Sequence, residues 1–111
     1  MARPRTFEEF WPYYVGEHRR SVTRRLHFVG THLALLCVVL SVVVSPWMLA
    51  AAPVLGYGLA WIGHFAFEQN KPASWGSLQH AVWSLQGDLR MWRYMVMGLM
   101  DAEIERVAEP A

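Results

Sequence analysis

A chain of 111 residues normally folds as one domain, and we expect a single membrane-embedded helical domain over residues 1–111. Hydrophobic residues make up 54% of the chain and charged residues only 17%, against about 25% in average globular proteins. The net charge of +1 gives no electrostatic basis for binding nucleic acid, so we exclude that class of partner. The single cysteine, Cys37, excludes an internal disulfide.

The first segment, RTFEEFWPYYVGEH, is predicted to form a short interfacial helix. Thr6 and Glu9 form a capping-box pattern at its start. Pro12 predicts that the helix is short or bent, because proline has no backbone N–H to donate. Aromatic side chains of the kind that lie at the level of lipid head groups are frequent here: Phe7, Phe10, Trp11, Tyr13 and Tyr14.

An uncharged run of 42 residues then separates Arg25 from Glu68. One membrane-spanning helix needs about 20 apolar residues, so the run predicts two crossings, divided near Pro46. The alternative is the core of a soluble helical protein, which would leave both helices without a charged face toward water. The turn has no Lys or Arg and both flanks are basic, which predicts a hairpin with both ends cytoplasmic. The membrane would be the inner membrane of a bacterium or the endoplasmic reticulum of a eukaryote.

A polar connection follows, with Asn70, Pro72 and Gly76 as helix breakers, and a last helix is predicted from about Leu78 to Arg106. This helix is predicted to be interfacial at first and polar toward its end. The predicted fold is therefore all-α. It is a membrane-embedded helical bundle with a central two-helix transmembrane hairpin flanked by interfacial helices.

The histidines are distributed so that the hairpin brings several of them to one depth. His27 lies 19 residues before Pro46 and His64 lies 18 residues after it. At about 1.5 Å rise per residue, both lie about 27–29 Å from the turn, near the cytoplasmic boundary. His18 precedes the hairpin on that side and His80 begins the helix that follows it. Four of the five histidines are thus predicted at one membrane boundary.

Imidazole nitrogens from separate elements are the commonest ligands of iron, zinc and copper in proteins. His18 and His27 are nine residues apart and can share an ion only if the chain bends between them, which a helix cap at Ser21 predicts. Glu68 lies four residues after His64, on the same helical face, and either ligates directly or accepts the second ring N–H of a ligand histidine.

The alternative for each residue alone is structural. A histidine at the end of a membrane helix can cap a carbonyl, Glu68 can belong to a solvated boundary, and the stripe of His80, Ser84 and Asp88 can pack between helices. The shared depth favours a functional site, because ionisable groups at membrane depth are costly to bury. Spacing alone leaves the metal site and the structural alternative open.

Four stretches carry a family resemblance: YYVGEH, RRLHFVGT, WIGHFAFEQNKPA and WSLQGDLRMW. They resemble the small membrane family that includes the fungal 2-hydroxy fatty acid dioxygenase of phytosphingosine breakdown. The resemblance implies an iron(II)-dependent enzyme of fatty-acid α-oxidation that uses O₂ to shorten a 2-hydroxy acyl chain by one carbon, releasing CO₂. By matching position, it implies His18, His27 and His64 as iron ligands, with Glu68 in the most specific block.

We therefore predict His18, His27, His64 and His80 as metal ligands, with Glu68 as a further catalytic residue. The predicted cofactor is Fe²⁺, and the predicted partners are a 2-hydroxy fatty acid, O₂ and membrane lipid. The acyl tail of the substrate would lie among the apolar helices.

Two alternatives from other functional classes stay open. One is a haem-binding electron-transfer hairpin with His27 and His64 as axial ligands. The other is a non-catalytic membrane scaffold whose histidines cap helices. The sequence leaves the acyl-chain length undetermined, and a homo-oligomer is also left open.

Overall fold

The structure is a computed structural model that describes residues 3–108. Within these residues it contains five α-helices and no β-strand, which confirms the predicted all-α class. A π-helical turn extends the third helix, and a short 3₁₀ helix, Ala73–Trp75, precedes the fourth. The α-helices are α1 (Phe7–Gly16), α2 (Ser21–Val43), α3 (Met48–Ile62), α4 (Leu78–Val96) and α5 (Met100–Ala108).

Helices α2 and α3 form a closely packed antiparallel hairpin. A Cβ atom placed on Gly30 would lie 3.0 Å from the carbonyl oxygen of Gly56, so the absence of a side chain lets the two backbones approach. Two segments, Ser21–Val43 and Met48–Glu68, are long and apolar enough to cross a membrane. Their apolar surface is largely uncovered by the chain itself: Val42 is 88% exposed and Trp47 is 84% exposed. This exposure suggests association with a membrane.

The aromatic residues of α1 form a core with α4 and α5. Phe10, Trp11 and Tyr14 are fully buried, whereas Tyr13 is about half exposed. These three rings therefore contact protein instead of lipid, because α4 and α5 supply a surface to pack against. Their depth at the level of the lipid head groups stays a prediction. The Trp11 indole N–H donates to the Glu103 carboxylate at 2.9 Å, which fastens α5 to α1.

The predicted single helix over residues 78–106 is broken near Gly98. Gly98 has φ +73°, and the Leu99 N–H donates to the Tyr94 carbonyl at 2.7 Å, which closes the end of α4 in a Schellman-type turn. The left-handed glycine lets the chain turn out of α4 and into α5. This turn places α5, and with it Glu103, against α1.

Candidate metal centre

Three histidine rings from three segments converge at the end of the hairpin that lies away from its turn. His18 lies in the connection between α1 and α2, His27 in the second turn of α2, and His64 in the π-helical turn Gly63–Glu68. One nitrogen from each ring lies within 4.8 Å of the others, and all three side chains are at most 4% exposed. These three residues can hold a metal ion.

The predicted bend between His18 and His27 is present. Helix α1 ends at Gly16 and α2 begins at Ser21, so the backbone changes direction between the two rings. The N-cap is Arg20, not Ser21, and its backbone N–H donates to the Glu68 carboxylate. The Arg24 guanidinium donates to the carbonyl of His18 at 2.8 Å, and this hydrogen bond stabilises the bend.

His64 is oriented by a residue that sequence reasoning treated only as a helix breaker. After the π-helical turn, Gln69 takes a left-handed conformation with φ 58°, and the Asn70 side chain returns to His64. The Asn70 Oδ1 accepts from His64 Nδ1 at 2.7 Å, while its Nδ2 donates to the carbonyl of Glu17 at 3.1 Å. Because a carbonyl oxygen only accepts, Glu17 fixes the orientation of the amide.

The hydrogen bonds of the three rings determine their tautomers. His18 Nδ1 donates to the carbonyl of Tyr14 at 2.6 Å, and His27 Nδ1 donates to the carbonyl of Thr23 at 3.0 Å. With His64 donating to Asn70, each neutral ring carries its proton on Nδ1 and leaves Nε2 as an electron-pair donor. Ligand histidines in metal sites make this same second hydrogen bond.

The Nε2 atoms of His18 and His27 are close enough to bind one ion together. His18 Nε2 and His27 Nε2 lie 3.0 Å apart, and two lone pairs at that distance repel. Two nitrogens bound to one ion at about 2.1 Å and at a right angle lie roughly 3.0 Å apart. The donor set present in the chain therefore fits a metal ion.

The electrostatic environment keeps His18 in its metal-binding state. Burial, and then the neighbouring rings of His27 and His64, lower the pKa of His18 well below its usual range. The ring is therefore neutral at physiological pH, and neutral imidazole is the form that ligates metals.

A hydrogen-bonded pair lies behind the His18 ring. The Tyr14 ring stacks on His18 with 4.1 Å between ring centroids, and its hydroxyl donates to the Asp88 carboxylate. Burial raises the pKa of Asp88 to about 7, although the hydrogen bond from Tyr14 acts in the opposite direction. Burial, followed by the nearby Asp88 carboxylate, raises the pKa of Tyr14 well above its usual range.

A cavity of about 20 Å³ adjoins the three histidines, which is enough for one water-sized molecule. Besides the histidines, its polar lining residues are Tyr14, Tyr57, Ser74, Ser84 and Asp88. The Ser84 hydroxyl is buried and has no hydrogen-bond partner within residues 3–108, so it is free to bond a ligand in this space. The cavity is thus lined both by electron-pair donors and by hydrogen-bonding groups.

Glu68 and His80 lie outside this cluster of described residues. Glu68 caps the start of α2 by accepting from Arg20, and His64 makes its second hydrogen bond to Asn70 instead. His80 pairs with the Ser77 hydroxyl at 3.1 Å and packs against Phe10. The structure therefore does not bring His80 together with the three central rings, and the proposed roles of both residues stay predictions without geometric support.

A glycine on α4 makes room for Tyr14, and this gives a testable expectation. A Cβ at Gly87 would lie 2.9 Å from two ring atoms of Tyr14, so Gly87→Ala is expected to displace the ring and destabilise the fold by about 1–3 kcal/mol. Gly58→Ala is the matched control, because nothing lies within 4 Å of its Cβ, and it is expected to stabilise α3 by about 0.5–1 kcal/mol. Thermal unfolding in mild detergent measures both. Equal stability of the two variants would contradict the packing described.

The fold and the site define an all-α protein in which three buried histidines beside a small polar cavity could hold a metal ion. Residues 4–100 match the family model described as 2-hydroxy-palmitic acid dioxygenase Mpo1-like, and the chain belongs to this family. Searches of curated proteins and of solved structures find no match. The resemblance noted in the sequence is thereby confirmed.

Proposed function

We propose that the chain is an iron(II)-dependent dioxygenase that acts on 2-hydroxy fatty acids in α-oxidation. The family description supports the activity, and the three converging imidazoles support the metal. The observation on which the proposal rests most is the Nε2 pair of His18 and His27, which face each other without a proton to share.

The proposed reaction balances without any further reductant. A 2-hydroxy fatty acid and O₂ give the fatty acid one carbon shorter, CO₂ and water. The bond between the carboxyl carbon and the 2-carbon breaks, the 2-carbon is oxidised to the new carboxyl group, and O₂ takes up the electrons. The substrate itself supplies all of these electrons.

The residues of the chain would have three roles in this reaction: metal binding, substrate positioning and exclusion of water. His18, His27 and His64 would hold the iron, which when bound supplies O₂ activation and a Lewis acid for the 2-hydroxy carboxylate. Asp88 and Tyr14 would position the hydroxyl end of the substrate through their hydrogen bond, and Ser84 would donate to it from the cavity wall. The surrounding helices exclude bulk water from the rings, since all three are buried.

The alternatives account for less of this geometry. A cavity of about 20 Å³ among rings whose centroids are 4.3–5.1 Å apart leaves no room for a porphyrin. A scaffold role explains buried histidines that cap carbonyls, but it does not explain why His18 and His27 direct unprotonated nitrogens at each other.

The activity is tested by incubating purified protein, reconstituted with iron(II), with 2-hydroxypalmitate and O₂. We expect the acid one carbon shorter and CO₂ in equal amounts, and loss of both products after chelation. Zinc-loaded protein is the control, because zinc occupies imidazole sites but has no redox chemistry. An absorption spectrum with a Soret band, or unchanged turnover in the zinc form, would contradict the proposal.

We further propose that α2 and the α3 segment to Glu68 cross the membrane as a hairpin, with both chain ends on the cytoplasmic side. The test replaces Cys37 with alanine and introduces one cysteine at Arg25, Lys71 or Trp47, all of which are exposed. A membrane-impermeant maleimide is expected to label positions 25 and 71 from the cytoplasmic side and position 47 from the other. Labelling of positions 25 and 71 from opposite sides would contradict the hairpin topology.

A further inference from the structure

A second, larger cavity runs beside the hairpin. Its volume is about 380 Å³, and α2, α3 and α4 line it. Beyond the polar groups at one end, its walls are formed by small and aliphatic residues, among them Ala34, Gly56 and Leu89. A groove with this lining favours a hydrocarbon chain, because its walls have few groups that could hydrogen-bond a polar ligand.

The groove adjoins the candidate metal centre. His27, Tyr57, Ala60 and Asp88 line both this groove and the small cavity among the histidines. A single ligand can therefore place a polar end at the imidazoles and an apolar chain in the groove. A phospholipid tail that enters from the bilayer has no polar group to bind at this end.

The direction and length of the groove follow from the residues at its two ends. On α2 the lining extends from His27 to Val38, eleven positions that correspond to about 16 Å of helix. On α3 it extends from Ala60 back to Ala52. The groove therefore points from the metal centre toward the hairpin turn.

We propose that this groove binds the acyl chain of the substrate, with the carboxyl end at the histidines and the methyl end near Val38 and Ala52. The identity of the polar end rests on the proposed function. A zigzag of carbon–carbon bonds of about 1.5 Å advances roughly 1.3 Å per carbon, so the groove holds about a dozen carbons. Residues at its far end would then set the preference for chain length.

The first test fills the far end of the groove. Val38→Trp is expected to lower kcat/KM for 2-hydroxypalmitate about tenfold, the effect of displacing about two buried methylenes, and to leave 2-hydroxyoctanoate within about twofold. Val39→Trp is the matched control, because Val39 is 60% exposed and does not line the groove. An equal loss for both substrates, or the same profile in the control, would overturn the proposal.

The second test does not depend on turnover. A 2-hydroxypalmitate probe with a diazirine at its methyl end is photolysed with the full chain in lipid nanodiscs, and the labelled residues are mapped by mass spectrometry. We expect labelling near Val38 and Ala52, and labelling nearer Thr31 and Gly56 with the octanoate analogue. Unlabelled 2-hydroxypalmitate is expected to compete with both probes.

The outcomes separate this proposal from the proposed activity. Labelling in the groove without any turnover would support the groove and contradict the dioxygenase. Turnover with labelling elsewhere would leave the activity in place and overturn the groove. A phosphatidylcholine probe that labels the groove without competition from 2-hydroxypalmitate would identify it as a lipid contact and overturn the proposal as well.

Discussion

Replacing His64 with alanine is expected to remove nearly all turnover and most of the bound iron. The ring supplies one of three imidazoles in the cluster, and the described residues place no other histidine there to substitute for it. Metal ions contribute several kcal/mol of transition-state stabilisation, so kcat/KM is expected to fall by about three orders of magnitude or more. Product formation from 2-hydroxypalmitate and iron per chain are the two measurements.

His32→Ala is the matched control for this variant. His32 lies in α2, five residues after His27, but it is exposed, and its ring lies 5.9 Å from that of Phe28, outside the cluster. We expect its iron content and turnover to stay within about twofold of the parent, since isolated surface substitutions have small effects. Full activity in His64→Ala, or an equal loss in His32→Ala, would contradict the assignment of the site.

Replacing Asn70 with alanine is expected to weaken iron binding by about 10–100-fold without removing any ligand. The Asn70 Oδ1 holds the proton of His64 on Nδ1, and the loss of this acceptor frees both the tautomer and the orientation of the ring. The same amide connects the hairpin to the carbonyl of Glu17, next to His18. A competitive titration with a metal-responsive dye measures the affinity.

Asn70→Asp separates the two contributions of this side chain. The aspartate still accepts the hydrogen bond from His64. It has no N–H to donate to the carbonyl of Glu17, so two oxygen atoms face each other there. We expect a smaller loss of iron affinity than in Asn70→Ala, together with a lower unfolding temperature of the metal-free protein. Lys71→Ala, a change of an exposed neighbour, controls for the loop. Iron affinity of Asn70→Ala equal to that of the parent would show that His64 is not oriented in this way.

The convergence of the central residues could be predicted from the sequence because it depends on regular geometry. Equal distances from the turn place His27 and His64 at one depth in any antiparallel hairpin, and a break between two helices is enough to bring His18 back. Helical rise and breaker positions are the properties that a sequence specifies most directly.

The residues that orient the rings could not be predicted, because irregular backbone positions them. The role of Asn70 depends on a π-helical turn followed by a left-handed Gln69, and no periodic pattern indicates either. Conversely, helical periodicity placed His80 on a stripe with Ser84 and Asp88, but only the latter two line the cavity. The His80 ring instead forms a hydrogen bond with the Ser77 hydroxyl at the start of α4.

The burial of the α1 aromatics was missed for a tertiary reason. Amphipathic rings suit a membrane interface and a protein core equally well, and the choice depends on whether another helix is available to cover them. The turn at Gly98 leads into α5, whose Glu103 accepts the hydrogen bond of the Trp11 indole. A glycine within a helical pattern does not show by itself that the chain turns back.

X-ray absorption at the iron edge of the iron(II)-loaded chain tests most directly whether three imidazoles from separate segments hold one ion. We predict a first shell of nitrogen and oxygen with the outer-shell scattering of three imidazole rings, and of two rings in whatever iron His64→Ala retains. A spectrum with one imidazole or none, or one unchanged by His64→Ala, would contradict the account.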